Sequence, residues 1–171
     1  MKCYKCGSRK ARVRVPSLEK KACDECFKQI IEKRFNRTVR GMNLKEVIVK
    51  LGRPSDKVLL HLFKKRAARV RELSVKSSKK ESSINQSTLD DICVSVLKSF
   101  FKGEDCLIKE ESPLESISEY ELIEYAQIEG LAFNGNPRTG EEERIHEFIM
   151  ELDERRPGVM YSIKDFMKKL Q

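Results

Sequence analysis

The sequence predicts an α/β protein, a small sheet flanked by helices, preceded by a cysteine-bearing N-terminal knuckle. Three observations predict it. Cys3-x-x-Cys6 and Cys23-x-x-Cys26 form two pairs separated by 16 residues. A β-branched run, Glu46-Val47-Ile48-Val49-Lys50-Leu51, ends at Gly52-Arg53-Pro54-Ser55-Asp56 and passes into an amphipathic segment. From there to the C-terminus, apolar residues recur mostly at the helical period.

Residues 1–26 read as the knuckle. Each Cys-x-x-Cys pair puts two thiolates on one short turn, and the loop between the pairs folds back so that Cys3, Cys6, Cys23 and Cys26 enclose a metal tetrahedrally. Gly7 suits the tight turn after the second cysteine. Disulfides or a redox pair are the rival readings. Lys2, Lys5, Arg9 and Lys10 interrupt any apolar run at the start, so no secretory leader is expected there. A reducing, cytoplasmic setting then favours structural zinc. Arg12 to Val15 alternates like a short strand before Pro16.

A basic connecting helix is expected next, spanning residues 27–45 with its start near Asp24 and its stop at Gly41. Phe27, Ile30, Ile31 and Phe35 form its buried stripe, while Lys33, Arg37 and Arg40 share another face with Arg34 on the border. Residues 46–171 read as an α/β domain that opens strand, glycine loop, helix. The helix, expected from about Lys57 to Val70 with a Ser55 or Asp56 cap, buries Val58, Leu59, Leu62 and Phe63 and exposes Lys64, Lys65, Arg66, Arg69 and Arg71. The serine-rich stretch 74–88 reads as a flexible loop. Further helices are expected over Leu89–Phe101, from a Ser118/Glu121 capping box to Gly130, over Glu141–Glu154, and from Ser162, with a short strand at Cys106–Ile108.

The net charge of +8 hides an asymmetry. Residues 1–80 carry 25 Lys/Arg against 7 Asp/Glu, or +18, and residues 81–171 carry 10 against 20, or −10. Such a basic half suits a phosphate backbone, although charge runs are often only solvated helix faces. No apolar stretch is long enough to span a bilayer. Cys93 reads as a core thiol, and His61 and His146 read as packing or surface groups.

The order of elements resembles the PP-loop ATP pyrophosphatases, specifically their tRNA 2-thiolation branch. The resemblance is carried by Cys3-x-x-Cys6, Cys23-x-x-Cys26-Phe27, Arg37-Thr38-Val39-Arg40, Leu59-Leu60-His61-Leu62 and Leu89-Asp90-Asp91. Pro113-Leu114, Glu121, Tyr125-Ala126, Gly130-Leu131 and Pro157-Gly158 extend it. It implies an adenine nucleotide alpha hydrolase-like fold, zinc in the knuckle, and tRNA as a partner; the positive helix faces offer Lys33, Arg34, Arg37, Arg40, Lys64, Lys65, Arg66, Arg69 and Arg71 for that RNA.

The departures point to a truncated, degenerate member. Where the family's phosphate loop has serine, a second glycine and aspartate, this chain has Leu51, Arg53 and Ser55, and Pro54 removes a backbone donor. Only Gly52 of the paired glycines remains, Asp56 falls one place late, and Asn136-Pro137-Arg138 stands where a cysteine segment would fall. Similarity is greatest to the non-catalytic subunit of the cytoplasmic two-subunit thiolase. The expectation is a pseudoenzyme without iron–sulfur cluster or bound nucleotide, which holds tRNA and a catalytic PP-loop thiolase partner or forms a homodimer. An active nucleotide-dependent tRNA sulfurtransferase and a stand-alone zinc-ribbon nucleic-acid regulator are the alternatives.

Overall fold

The computed structural model describes residues 1–70, 73–104 and 111–170, apart from the side chains of Met167, Lys168 and Leu170. Arg71 and the strand expected at Cys106–Ile108 lie outside the described residues. The knuckle closes through an antiparallel pair, β1 (Val13–Val15) and β2 (Lys20–Ala22), joined by a 3-10 turn over Pro16–Leu18. Val13, Val15 and Ala22 face inward and are buried, while Arg14 points out, as alternation across a strand requires.

α1 (Asp24–Gly41) starts inside the second cysteine pair. Phe27, Ile31, Phe35 and Val39 recur every four residues and bury one stripe, with Asp24 and Glu25 in the first turn suiting the helix dipole. β3 (Glu46–Lys50), α2 (Pro54–Ala67) and β4 (Ser74–Ser78) follow as a unit whose strands pair in parallel, from Glu46 opposite Ser74 to Lys50 opposite Ser78. α2 begins earlier than its sequence suggests: Arg53 is the N-cap, and Asp56 is the third helical residue, whose carboxylate turns back on the cap.

The flexible loop expected over 74–88 is corrected by β4. The strand escapes notice because it lies on the edge of a two-stranded sheet and exposes most of its side chains, so serine costs little there. The rest of the stretch covers the other edge of β3. The Ile48 N–H donates to Ser83 Oγ at 2.8 Å, and the Ser83 N–H donates back to the Ile48 carbonyl at 3.1 Å. The Gln86 side-chain amide brackets Lys50, accepting from its N–H at 2.8 Å and donating to its carbonyl at 2.9 Å. An edge left bare would be a template for pairing with other chains.

Four helices complete the described chain: α3 (Leu89–Lys102), α4 (Glu119–Glu129), α5 (Gly140–Arg155) and α6 (Val159–Leu170). Thr88 and Ser118 cap α3 and α4 through capping boxes with Asp91 and Glu121, and Gly103 and Gly130 end them in left-handed backbone at φ 66° and 68°. α6 starts at Val159, three residues before the Ser162 start that the sequence suggests.

Among the described residues, two larger hydrophobic clusters organise these elements, beside a small third one of Ile92 and Val96. The first runs without a break from Cys3, Val13 and Val15 through Phe27 and Phe35 to Val47, Leu59, Phe63, Leu122 and Tyr125. Packing therefore crosses residues 26 and 45, and the knuckle, the basic helix and the sheet share one core. Phe35 and Phe63 meet edge-on at 4.9 Å where α1 crosses α2. The second cluster joins Leu89, Cys93 and Val94 of α3 to Ile145 and Ile149 of α5 and Met160 of α6. Among the described residues, no helix is long and apolar enough to cross a membrane.

Arg34 ties the clusters together. Its guanidinium donates to Glu121 on α4 at 2.7 Å, to the Tyr161 hydroxyl on α6 at 3.1 Å, and to Ser17 in the 3-10 turn. Tyr161 in turn donates to the Ser116 carbonyl at 3.1 Å. Burial pushes the Glu121 carboxyl up, and the adjacent guanidinium opposes that shift. Arg34→Ala is expected to destabilise the fold by about 3 kcal/mol at neutral pH, because it leaves Glu121 buried without its cation. Glu121 then takes up a proton more readily in the folded state than in the unfolded one, so the loss should shrink as pH falls towards 4. Urea unfolding of both proteins between pH 4 and 8 checks this.

Candidate metal centre and nucleic-acid interface

The knuckle brings Cys3, Cys6, Cys23 and Cys26 together, their sulfurs all within 4.8 Å of one another. Local structure explains why. The Cys3 N–H donates to the Arg9 carbonyl at 2.8 Å and the Gly7 N–H to the Cys3 carbonyl at 2.9 Å, closing the first turn. Gly7 sits at φ 67°, where a side chain would be strained. The second pair stands at the N-terminus of α1, with Cys23 at the cap position. Cys3, Cys23 and Cys26 are buried and Cys6 is exposed.

These thiols are in unequal environments. Hydrogen bonds from Ser8, whose hydroxyl lies 3.4 Å from Cys6 Sγ, and from the Arg9 and Ser8 N–H groups bring the Cys6 thiol down to about 5. Burial and the neighbouring sulfurs push Cys26 up. Four sulfurs this close cannot all ionise beside one another without a cation among them. Cys6 and Cys23 lie 3.9 Å apart, near the roughly 3.8 Å edge of a tetrahedron with 2.3 Å metal–sulfur bonds. The donor set thus fits a thiolate-held metal, and four cysteine thiolates also serve iron–sulfur clusters.

The basic residues divide into two groups. Lys33, Arg37, Arg40 and Lys64 are exposed and make no ion pair with a described residue. Arg34, expected on an RNA face, is instead the half-buried junction to Glu121, Tyr161 and Ser17. Its position on the border of the α1 stripe allowed either outcome, and only the approach of α4 and α6 decides it. Lys65 is likewise engaged by carboxylates, 2.7 Å from Glu32 and 3.1 Å from Glu129, and its pKa is raised because these outweigh its partial burial. Arg66 donates to the Asn36 side chain at 2.8 Å, and Arg69 reaches Glu32 at 3.2 Å. Lys33, Arg37 and Arg40 line one cleft of about 580 Å³ along α1, together with Gln29, Glu32 and Asn36 and with Arg69 from just past the end of α2.

The Gly52–Asp56 loop is filled by its own side chains. The Gly52 and Arg53 N–H groups donate to Asp56 Oδ2 at 2.9 and 2.6 Å, and Gln86 donates to Asp56 Oδ1 at 2.6 Å. The Ser55 N–H turns to Asn136 at 3.3 Å, and Pro54 has none to offer. The Arg53 guanidinium crosses to Asp91 at 3.0 Å and also donates to the Gln86 carbonyl.

Beside this loop lies a cluster that the sequence does not announce. Asp90 accepts from the Glu119 N–H at 2.6 Å and faces His146 Nε2 at 3.1 Å, while Glu119 accepts from Arg138 and from the Asn136 N–H. These groups border a cleft of about 650 Å³ that also takes in Pro54 and Asn136. In the sequence Asp90 stands as a helix N-terminal acid and within the Leu89-Asp90-Asp91 segment; its partners, Glu119 and His146, come from two later helices. His61 pairs with Glu129 at 2.9 Å, and Cys93 donates to the Met160 carbonyl at 3.3 Å inside the second cluster, both structural placements.

No family model matches the sequence. No curated protein matches it either. Among solved structures, the fold is similar to the U34-tRNA thiolase NcsA from Methanococcus maripaludis with its [4Fe-4S] cluster. The TM-score is 0.80 at 15% identity, over 99% of this chain and 87% of that one. At that identity the likeness is one of fold.

Two expectations are corrected by it. A pseudoenzyme was inferred from loop residues and a shortened chain, yet the same architecture belongs to a thiolase, and the match covers most of both chains. Altered loop residues on a retained scaffold do not establish that chemistry is absent. The exclusion of an iron–sulfur cluster fails as well, because the thiolase carries one and this chain presents four closely spaced cysteines. Protein purified under reducing, anaerobic conditions is expected to carry one metal centre, lost in Cys23→Ser. Elemental analysis for zinc and iron, with acid-labile sulfide, reads both its presence and its kind.

Proposed function

We propose that this protein acts in the 2-thiolation of tRNA at U34, binding tRNA through the basic helices α1 and α2 while Cys3, Cys6, Cys23 and Cys26 hold a metal centre. The observation that carries the reading is the fold, shared nearly end to end with a U34-tRNA thiolase. The charge distribution supports it: unpaired cations on α1 and α2 give the electrostatic footprint of a nucleic-acid binder, with affinity from phosphates.

The metal centre shapes the tRNA-binding part. Cys23 and Cys26 flank the start of α1, so a metal bound there fixes the knuckle against the helix that carries Lys33, Arg37 and Arg40. Residues near the Asp90 cleft hold one another in a charged network with Arg53 and Arg138 inside it. A second subunit, either a PP-loop thiolase or another copy of this chain, completes the assembly. Phe100, Phe101, Phe148 and Phe166 stand exposed on α3, α5 and α6, more aromatic surface than an isolated chain usually shows to water.

Removing the protein from its native cell should lower 2-thiouridine at U34 at least tenfold, with the parent gene restoring it and the Cys23→Ser gene failing to. Mass spectrometry of nucleosides from purified tRNA measures this. Unchanged 2-thiouridine in the deleted strain would rule the reading out.

A further inference from the structure

We propose that the cleft between α1 and the segment just past α2 is a phosphodiester groove that grips the RNA backbone through Lys33, Arg37, Arg40 and Arg69. The inference rests on the tRNA reading above and assigns its binding surface to one place. Helical geometry sets the spacing. Lys33, Arg37 and Arg40 follow one another at i, i+4 and i+7, which puts them about 6 and 10.5 Å along the helix axis, a ladder suited to successive phosphates of one strand.

The opposite wall is preset by α1. Glu32 holds Arg69, just past the C-terminus of α2, at 3.2 Å, while Asn36, one turn on, accepts from Arg66 of the last turn of α2 at 2.8 Å, so the guanidinium that faces the cleft is already drawn towards it. Glu32 is the lone carboxylate among the lining residues, and Lys65 already engages it at 2.7 Å. The cleft therefore keeps its positive charge. Like charges at helical spacing repel one another, and a bound polyanion removes that cost.

Lining chemistry selects RNA over an acidic protein. Gln29, Glu32, Lys33, Asn36, Arg37, Arg40 and Arg69 include no apolar side chain. Protein interfaces bury an apolar, aromatic-rich centre with charged groups depleted, whereas nucleic-acid interfaces are polar and strongly positive. No aromatic ring lines the cleft for bases to stack on, so the groove reads backbone and shape, and sequence choice is made elsewhere. Arg34, one residue from Lys33, takes no part because it is spent on Glu121.

The test is tRNA binding by fluorescence anisotropy, using the metal-loaded full chain and one labelled tRNA transcript across a salt series. Lys33→Ala/Arg37→Ala/Arg40→Ala should weaken binding at least tenfold at low salt and reduce the slope of log affinity against log salt by about two to three. A charge-matched variant of exposed cations outside the cleft, Lys57→Ala/Lys79→Ala/Lys80→Ala, should stay within threefold of the parent. Metal content and thermal unfolding of both variants should match the parent, since none of the six side chains is buried. If the parent binds tRNA and the two variants lose affinity equally, or neither loses any, the groove is wrong while the tRNA reading stands. If the parent binds no tRNA, both fall. A sedimenting complex that depends on the same three cations and forms without RNA would assign the cleft to an acidic protein surface and overturn the proposal.

Discussion

The fold turns on a half-buried cation held against a buried carboxylate. Arg34 leaves α1 in the middle of its length and reaches α4, α6 and the turn of the knuckle at once, so one guanidinium joins the two hydrophobic clusters. Its planar fork suits this role better than a lysine would, since separate N–H groups serve Glu121, Tyr161 and Ser17 in fixed directions. Glu121 also accepts from the Ser118 N–H at 3.2 Å, so the start of α4 and the ion pair depend on the same carboxylate. Burial of the Glu121 carboxylate is tolerated because the guanidinium and the Ser118 N–H both reach it.

Around that junction the charges fall into three classes. Some cations are consumed by packing: Arg34, and Lys65 between Glu32 and Glu129 with Tyr125 beneath it, 5.8 Å from ring centre to ammonium. Others close the Gly52–Asp56 loop and the Asp90 cleft, where Arg53 and Arg138 face Asp91 and Glu119. The remainder stay open to solvent, among them Lys33, Arg37 and Arg40 on one face of α1. The strong positive balance of the first 80 residues thus overstates the binding surface, because part of it neutralises carboxylates from the acidic half. Glu121 and Glu129 on α4 are two of those carboxylates.

The cysteine centre and the basic helix are mechanically linked. α1 starts within the second cysteine pair and continues into the core through Phe27 and Ile31. A metal held there stiffens the first turn of the helix whose later turns carry the cations. The short β1–β2 pair adds little core of its own, and its buried valines pack into the larger cluster.

Much was legible in the sequence because it is local. The two cysteine pairs, the stripe of α1, the β-branched β3, the capping box at Ser118 and the glycine stop of α4 all depend on neighbours a few residues apart, so spacing alone reports them. β4 was hidden because an edge strand with exposed serines carries no apolar alternation, and only its pairing with β3 defines it. The fate of each charged side chain was hidden for a related reason. Arg34 and Arg37 are three residues apart on one helix, yet one is a half-buried tie and the other an open cation, since Glu121 and Tyr161 come from segments 87 and 127 residues away in the chain. Composition fixed how many charges there are; tertiary structure decided which of them face water, because that depends on which carboxylates the fold brings within hydrogen-bond reach.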